Sequence, residues 1–420
     1  MTDEQFEKQE LRLNSLFEQR HEDFHYGNWK LKNVWEESLE RLRRMDDHEL
    51  ETVHPEAKSR MLIAAVNQGT AEDLDRLMET RLSPNPKAFH EGTAMHAAAA
   101  TDDPQMLAFL ISLGSRTNAR DSVGRTPLHI AAFYGSMMFV REMEQSGNLD
   151  CTHEDAFGRT PLEHAIVGKN LPLVIKLAGL CKEQKRLQKG SRKERWTAMH
   201  EAAVSGNADA VRVLLDLGMD PDRGERIRGK TPLHYAIRNG HIDVVRLLLE
   251  AGADAAKKDK LGRSAMHEMG RCATRMSCED EIECRVNLNF KRMLELLMKH
   301  GGTMTVRDMN GMTPLHYALA EFSEPEGVRA FIRPETINAA NEIGNTPLHY
   351  AAAHVNNSEV NQRAICDMLL EAGADTEAVN EDGEKPMDFG NPIYAEALSV
   401  FEAKKLLAKS GTITRRRSTL

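Results

Sequence analysis

The chain is poor in aromatics, at 5% with three Trp, and it spreads only six cysteines over 420 residues. Sheet-rich folds draw on aromatic and β-branched residues, so this scarcity favours a helical core built on Leu, Ala and Met. The cysteines, Cys151, Cys181, Cys272, Cys278, Cys284 and Cys366, form no paired framework, which points to a reducing compartment. No run of about 18 apolar residues occurs, and the opening MTDEQFEKQE has no apolar signal region. Neither a membrane span nor secretion is therefore expected. The expected location is cytoplasmic, with the nucleus as the second option. Positive charge is also short: the net of −9 argues against nucleic acid as the main partner.

What is present is 41% apolar and 28% charged residues, enough for a large buried area on a hydrated surface. A chain this long exceeds one ordinary compact core, so several domains or a repeat array must share the burial. The repeat decides between them. Thr126-Pro127-Leu128-His129-Ile130-Ala131 recurs at Thr231 to Ala236, Thr313 to Ala318 and Thr346 to Ala351. Degenerate copies begin at Ser59, Thr93, Thr160, Thr197, Ser264 and Lys385. Spacings of 33 or 34 residues dominate, stretched to 37 after Thr160, 49 after Ser264 and 39 after Thr346.

The physics of one copy follows from its residues. Gly124, Gly158, Gly229, Gly262, Gly311 and Gly344 each precede the Thr, Ser or equivalent by two positions, where a tight turn needs positive φ. Thr126 can cap a helix whose first position is Pro127, where a missing N–H costs nothing. A second helix carries a stripe such as Val244, Val245, Leu247, Leu248 and Leu249 and stops at Ala251-Gly252. Neither helix buries its apolar face alone, so copies must stack.

From about Ser59 to Phe401 this pattern resembles the ankyrin-repeat family, whose period and T-P-L-H-x-A signature it shares. The resemblance implies an all-α solenoid of about ten helix-turn-helix repeats with β-hairpin fingers, curving into a concave face that binds other proteins. Domain organisation is read as an acidic helical extension over 1–57, the solenoid over 58–401 with an insertion near 271–287, and a helix end with a basic tail over 402–420. The extension reads as two amphipathic helices broken near Gly27, with Phe6, Leu13, Leu16, Phe17, Trp29, Val34, Trp35, Leu39 and Leu42 covering the open end or meeting a partner. Asn391 to Lys409 resembles a capping helix and Ser410 to Leu420 a flexible tail. Three departures stand out. Glu163 replaces the motif His, which predicts local distortion. About 16 extra residues from Arg271 to Asn287 predict a loop, and Lys182 to Arg195 delays the fifth copy.

Two catalytic signatures are present and neither fits. Gly224 to Thr231 spells the phosphate-loop pattern, but no strand precedes it, Pro232 follows at once, and Gly229 to Thr231 already serve as the repeat's turn. His21-Glu22-Asp23-Phe24-His25 spells a zinc-hydrolase pattern with too little chain before it and no third ligand in view. The repeat histidines His96, His129, His200, His234, His267, His316 and His349 read as structural. Cys272, Cys278 and Cys284, near His267, match no standard zinc spacing. No catalytic, metal or cofactor residue is assigned, and no enzyme is expected.

Binding then falls on exposed variable positions. The residue before each cap is Arg125, Arg159, Trp196, Lys230, Arg263, Met312 or Asn345, and with Arg228 and Arg238 the basic ones form a candidate cationic ridge for an acidic partner. Phe133 and Tyr134, closing one first helix, are candidate aromatic anchors. The basic stretch from Lys182 to Arg195 reads as an inter-repeat loop before it reads as an import signal. Ser418-Thr419-Leu420 fits the C-terminal pattern taken by PDZ domains, and Arg415-Arg416-Arg417-Ser418 resembles a basophilic kinase site, so phosphate on Ser418 would switch docking off. The function expected is a non-catalytic adaptor or scaffold. The alternatives are an inhibitory protein of the same family that sequesters a transcription factor or kinase, and a ubiquitin-ligase substrate receptor. Only Ser15 and Ser38 occur in the first 57 residues, and no C-terminal leucine-rich box is visible, so neither alternative finds its usual accessory signal.

Overall fold

A computed structural model describes residues 32–53, 55–68, 71–80, 92–183, 196–272, 281–320, 325–353 and 359–417. The chain divides into two compact units, Met1–Gln184 and Lys185–Leu420. Both are built of antiparallel helix pairs.

The first unit opens with α1 (Lys32–Arg44) and α2 (Asp47–Thr52). Asp46 caps α2, accepting from Glu49 N at 2.7 Å while the Glu49 carboxylate reaches back to Asp46 N. Four pairs follow: α3 (Pro55–Gln68) with α4 (Ala71–Glu79), α5 (Ala94–Thr101) with α6 (Pro104–Ser112), α7 (Pro127–Tyr134) with α8 (Met137–Gln145), and α9 (Pro161–Val167) with α10 (Leu171–Glu183). Each first helix packs on the next, and α1 lies on α3. Leu39, Leu42 and Leu50 are buried there; Arg43 of the extension donates to Asp73 of α4, and Arg76 of α4 donates back to Asp47 and the Leu42 and Met45 carbonyls. These residues cover the face that the first repeat would otherwise leave bare. The part of the extension before residue 32 lies outside the described residues.

The second unit holds six pairs. They are α11 (Ala198–Ser205) with α12 (Ala208–Asp216), α13 (Pro232–Arg238) with α14 (Ile242–Glu250), α15 (Ala265–Cys272) with α16 (Glu281–Lys299), α17 (Pro314–Ala320) with α18 (Pro325–Arg329), α19 (Pro347–Ala353) with α20 (Glu359–Glu371), and a 3₁₀ turn (Pro386–Phe389) with α21 (Pro392–Arg417). Helix α21 packs on α20, burying Tyr394, Ala397 and Leu398. It runs to Arg417, well past the Lys409 boundary expected for the capping helix. The insertion also departs from expectation: residues 281–287 are helical and lengthen α16, whose Phe290, Met293, Leu294 and Leu297 are buried. Residues 273–280 lie outside the described ones.

One side chain repeats as a bridge between copies. In His129 the Nδ1 atom accepts from Thr126 N at 3.0 Å, so the proton sits on Nε2, which donates to Arg159 O at 3.1 Å. The same two bonds join His96 to Arg125 O, His200 to Lys230 O, His234 to Arg263 O, His267 to Met312 O, His316 to Asn345 O and His349 to Glu384 O. Each histidine closes its own helix cap and satisfies the turn of the following copy. Two copies vary. At Ser59 the histidine position holds buried Leu62, and the helix starts earlier, at Pro55, instead of capping at Ser59. At Thr160, Glu163 does not distort the cap; its carboxylate accepts from Thr160 N at 2.9 Å and from the Thr160 hydroxyl.

The fingers between pairs are turns, with no β-strand among the described residues. Asp121, Asp155, Asp259 and Asp308 each accept backbone N–H groups two and four residues on, which folds the turn over a positive-φ glycine. Successive fingers are laced by backbone bonds: Ala156 N to Val123 O in the first unit, then Lys260 N to Arg228 O, Met309 N to Leu261 O, Glu342 N to Asn310 O and Glu381 N to Ile343 O in the second. Glycine is needed for that approach. At Gly262, with φ of +75°, an added Cβ would lie 2.9 Å from Met309 N.

Burial lowers the pKa of His96, His129, His200, His234, His267 and His316. It lowers His129 to about 3, and His96, His200 and His316 to about 4, against a partial offset from the carbonyl each one meets. Unfolded imidazoles take up protons near 6.5, so the unfolded state binds more protons below that pH. Stability should be full above pH 6.5 and fall progressively towards pH 4. Thermal unfolding at pH 7 and pH 4.5 should differ by about 10 °C or more. His234→Leu should orphan Thr231 N–H and Arg263 O and cost about 2–4 kcal/mol, read as a lower urea midpoint.

Candidate functional site

The residue before each cap was the expected outward cation, and the structure turns most of these residues inward. In the first unit, Arg159 is 8% exposed, with Nε donating to Asp155 at 3.2 Å, and Arg125 is half-buried with Nε 2.7 Å from Asp121. The carboxylate that folds each turn also takes the arginine four residues on. His164 Nε2 lies 3.0 Å from the same Asp155 carboxylate.

The second unit carries the larger charged cluster. Lys230, 1% exposed, donates to Glu268 at 2.6 Å, and Glu268 is equally buried. Burial alone would raise the Glu268 carboxyl, but Lys230, Arg271, Arg263 and Arg238 together hold it well below its ordinary value. Burial also lowers Lys230 to about 8, with Glu268 opposing the shift, so the pair is ionised at neutral pH. Arg263 is 2% exposed against Asp259, and Arg228 is buried with its backbone N–H on Glu225. Trp196, also buried, donates to Glu201 at 2.8 Å and meets the Tyr235 ring edge-on at 4.9 Å. Burial pushes the Tyr235 phenol up.

These positions therefore brace the repeats: Arg159, Trp196, Arg228, Lys230 and Arg263 are not offered to a partner. Arg159 and Arg263 meet the acid of their own turn, Lys230 reaches Glu268 on α15, and Trp196 meets Glu201 and the Tyr235 ring. The phosphate-loop spelling is resolved as well, since Lys230 is engaged with Glu268 and Thr231 caps α13 through His234.

The remaining expectations divide. Phe133 and Tyr134 are both half-buried at the end of α7, rings edge-on at 5.4 Å, which leaves part of each uncovered; burial raises the Tyr134 phenol to about 12. Arg238, closing α13, is half-buried. Cys272 donates to Ile237 O at 3.6 Å, while the Cys278 and Cys284 side chains, His21, His25, most of Lys182 to Arg195, and Ser418 to Leu420 lie outside what is described. No helix among the described residues is long and apolar enough to cross a membrane.

Sequence reading missed the side chains that do stand out: Arg226 and Ile227, Lys260, and Met309, all exposed. They sit between the acid and the glycine of a finger. The signal was available in the D-x-x-G spacing at Asp259 and Asp308 and the E-x-x-x-G spacing at Glu225, because an acid bonded to its own turn turns inward and leaves the next residues at the tip.

Removing one partner of the Lys230–Glu268 pair leaves a buried charge alone. Lys230→Met should lose about 3 kcal/mol or more, and Lys230→Met with Glu268→Leu should recover most of it in urea titration.

Comparison with known proteins agrees with this architecture. The sequence matches the family described as ankyrin repeats (three copies) over residues 61–147, 95–185, 134–225, 167–259 and 284–380. It is 30% identical over 149 residues to NF-kappa-B inhibitor delta of Mus musculus, covering 30% of this chain and 45% of that protein. It is 26% identical over 160 residues to NF-kappa-B inhibitor zeta of Homo sapiens, covering 30% of this chain and 22% of that one. The chain thus spans less than half the length of these curated relatives. Among solved structures, the ankyrin repeat domain of Bcl-3 is similar at 24% identity and a TM-score of 0.45, covering 58% of this chain and 99% of that domain. With the family matched across most of its length and the bridged helix pairs that the motif demands, this chain belongs to the ankyrin-repeat family.

Proposed function

We propose that the chain is a non-catalytic adaptor or scaffold that holds client proteins on the concave face and fingers of its repeats, in the cytoplasm or nucleus. One observation carries the reading. The first helices end in large side chains that stay partly uncovered, Phe133 and Tyr134 in the first unit and Arg238 in the second, while the pre-cap positions are used internally. Partly covered aromatics and arginines are the side chains that anchor protein interfaces. Affinity capture by the purified chain, read by mass spectrometry, tests it. Client proteins should be enriched, and Phe133→Ser/Tyr134→Ser or Arg238→Glu should deplete at least one by about tenfold. Recovery of no client, or of an unchanged set, would refute the reading.

A second reading is favoured by the two relatives named as NF-kappa-B inhibitors: sequestration of a transcription factor. It requires a DNA-binding protein among the captured clients and loss of that client's DNA binding when this chain is added. Sequestration of a kinase and receipt of substrates for a ubiquitin ligase stand behind these readings. A PDZ-type contact through Ser418 and Leu420 supplements the adaptor reading, on the sequence pattern alone. Deletion of Leu420, or phosphorylation of Ser418, should abolish capture by PDZ-domain proteins and leave other clients bound.

A further inference from the structure

The second unit's fingers carry a surface that the adaptor reading does not specify. In three consecutive fingers the acid is consumed by its own turn. Glu225 accepts from Ile227, Arg228 and Lys230 N–H, Asp259 from Leu261 and Arg263, and Asp308 from Asn310, Met312 and the Tyr317 hydroxyl. What remains at the tips is basic and apolar. Arg226, Lys258, Lys260 and Arg307 are exposed, and among them stand Ile227 at 42% and Met309 at 61% exposure.

Three of these cations are held in place. Lys260 Nζ donates to Arg226 O on the preceding finger, Lys258 Nζ to Arg307 O on the following one, and Arg307 to Gly311 O and Ala340 O. Each bond satisfies a carbonyl that would otherwise face water and fixes its cation over the ridge, which lowers the entropy cost of using it. The lacing bonds from Lys260 N to Arg228 O and from Met309 N to Leu261 O hold the three fingers in one row. The row then reverses sign. The next two fingers have Asn341 and Asn380 in place of the acid and expose Glu342, Glu377, Glu381 and Asp382.

We propose that the row from Arg226 to Met309 is a docking surface for an extended, acidic protein segment with apolar side chains at regular intervals. Charge complementarity selects the acid, and Ile227 and Met309 select the apolar positions. A polyanion such as nucleic acid fits less well, because it brings no apolar side chain and meets a chain of net charge −9. The spacing sets the register. Helix layers stack about 8–10 Å apart and a segment in the polyproline II conformation advances about 3.1 Å per residue with about three residues per turn, so successive fingers meet every third residue on one face of the segment.

This inference rests on the adaptor reading and is tested apart from it. Fluorescence anisotropy with the full chain compares a labelled peptide of about twelve residues, repeating Glu-Leu-Glu, with its Glu-Ser-Glu twin and an oligothymidylate of equal length. The leucine peptide should bind best. Lys258→Glu/Lys260→Glu and Ile227→Ser/Met309→Ser should each weaken it by about tenfold, and raising the salt should weaken it further. All these positions are exposed, so thermal unfolding of each variant should match the parent to within about 2 °C. No binding, equal binding of the serine twin or the oligonucleotide, or folded variants within about twofold of the parent would each overturn the proposal. If that happens while Phe133 and Tyr134 still govern client capture, the docking row falls and the adaptor reading stands.

Discussion

An imidazole shared between two repeats is the interaction on which the rest of this structure depends. Its Nδ1 accepts the N–H of its own capping residue, and its Nε2 proton goes to a carbonyl about thirty residues later. A cap alone would define one short helix, and short helices are marginal in isolation. The second bond makes each helix start conditional on the copy that follows it, so local structure and stacking are decided together. Burial is what makes the arrangement obligatory. A charged imidazolium there would have to give up its hydration, and the low pKa values of His96, His129, His200 and His316 express that burial.

The turn carboxylates act in a similar way at the surface. Asp121, Asp155, Asp259 and Asp308 fold their fingers by accepting backbone N–H groups; the first three also take the arginine four residues on, and Asp308 takes the Tyr317 hydroxyl. Because the acids are spent on the backbone, the charge that a finger shows to solvent differs from the charge written in its sequence. The fingers around Lys260 look electrically balanced on paper and present cations at their tips, while the fingers at Asn341 and Asn380 present acids.

How much of this was readable beforehand follows from which residues act locally. The T-P-L-H-x-A string contains its own cap, first-turn proline and bridge, so helix pairs and their stacking could be read straight from spacing. Glu163 looked like a defect because the motif names histidine, yet a carboxylate accepts the same N–H and keeps the helix start. The binding surface was harder. Arg159, Lys230 and Arg263 are indistinguishable in sequence from exposed bases; Arg159 and Arg263 turn onto acids four residues back, and Lys230 onto Glu268, 38 residues on. A long-range partner of that last kind leaves no mark on a local pattern. The extension of α16 into the insertion was hidden for a related reason, since the period says where a copy resumes and not what fills the interval.

The bridge from His267 illustrates what this construction permits. It reaches Met312 O across 45 residues, where its counterparts from His96 and His316 reach their carbonyls across 29. Extra chain can enter between the two helices of a copy, or a whole copy can be duplicated or lost, and the same imidazole still finds the same kind of carbonyl. Chain length is thus uncoupled from the joint. An array of this sort can lengthen by copying and diversify by insertion over generations without redesigning the contact that holds its parts in register.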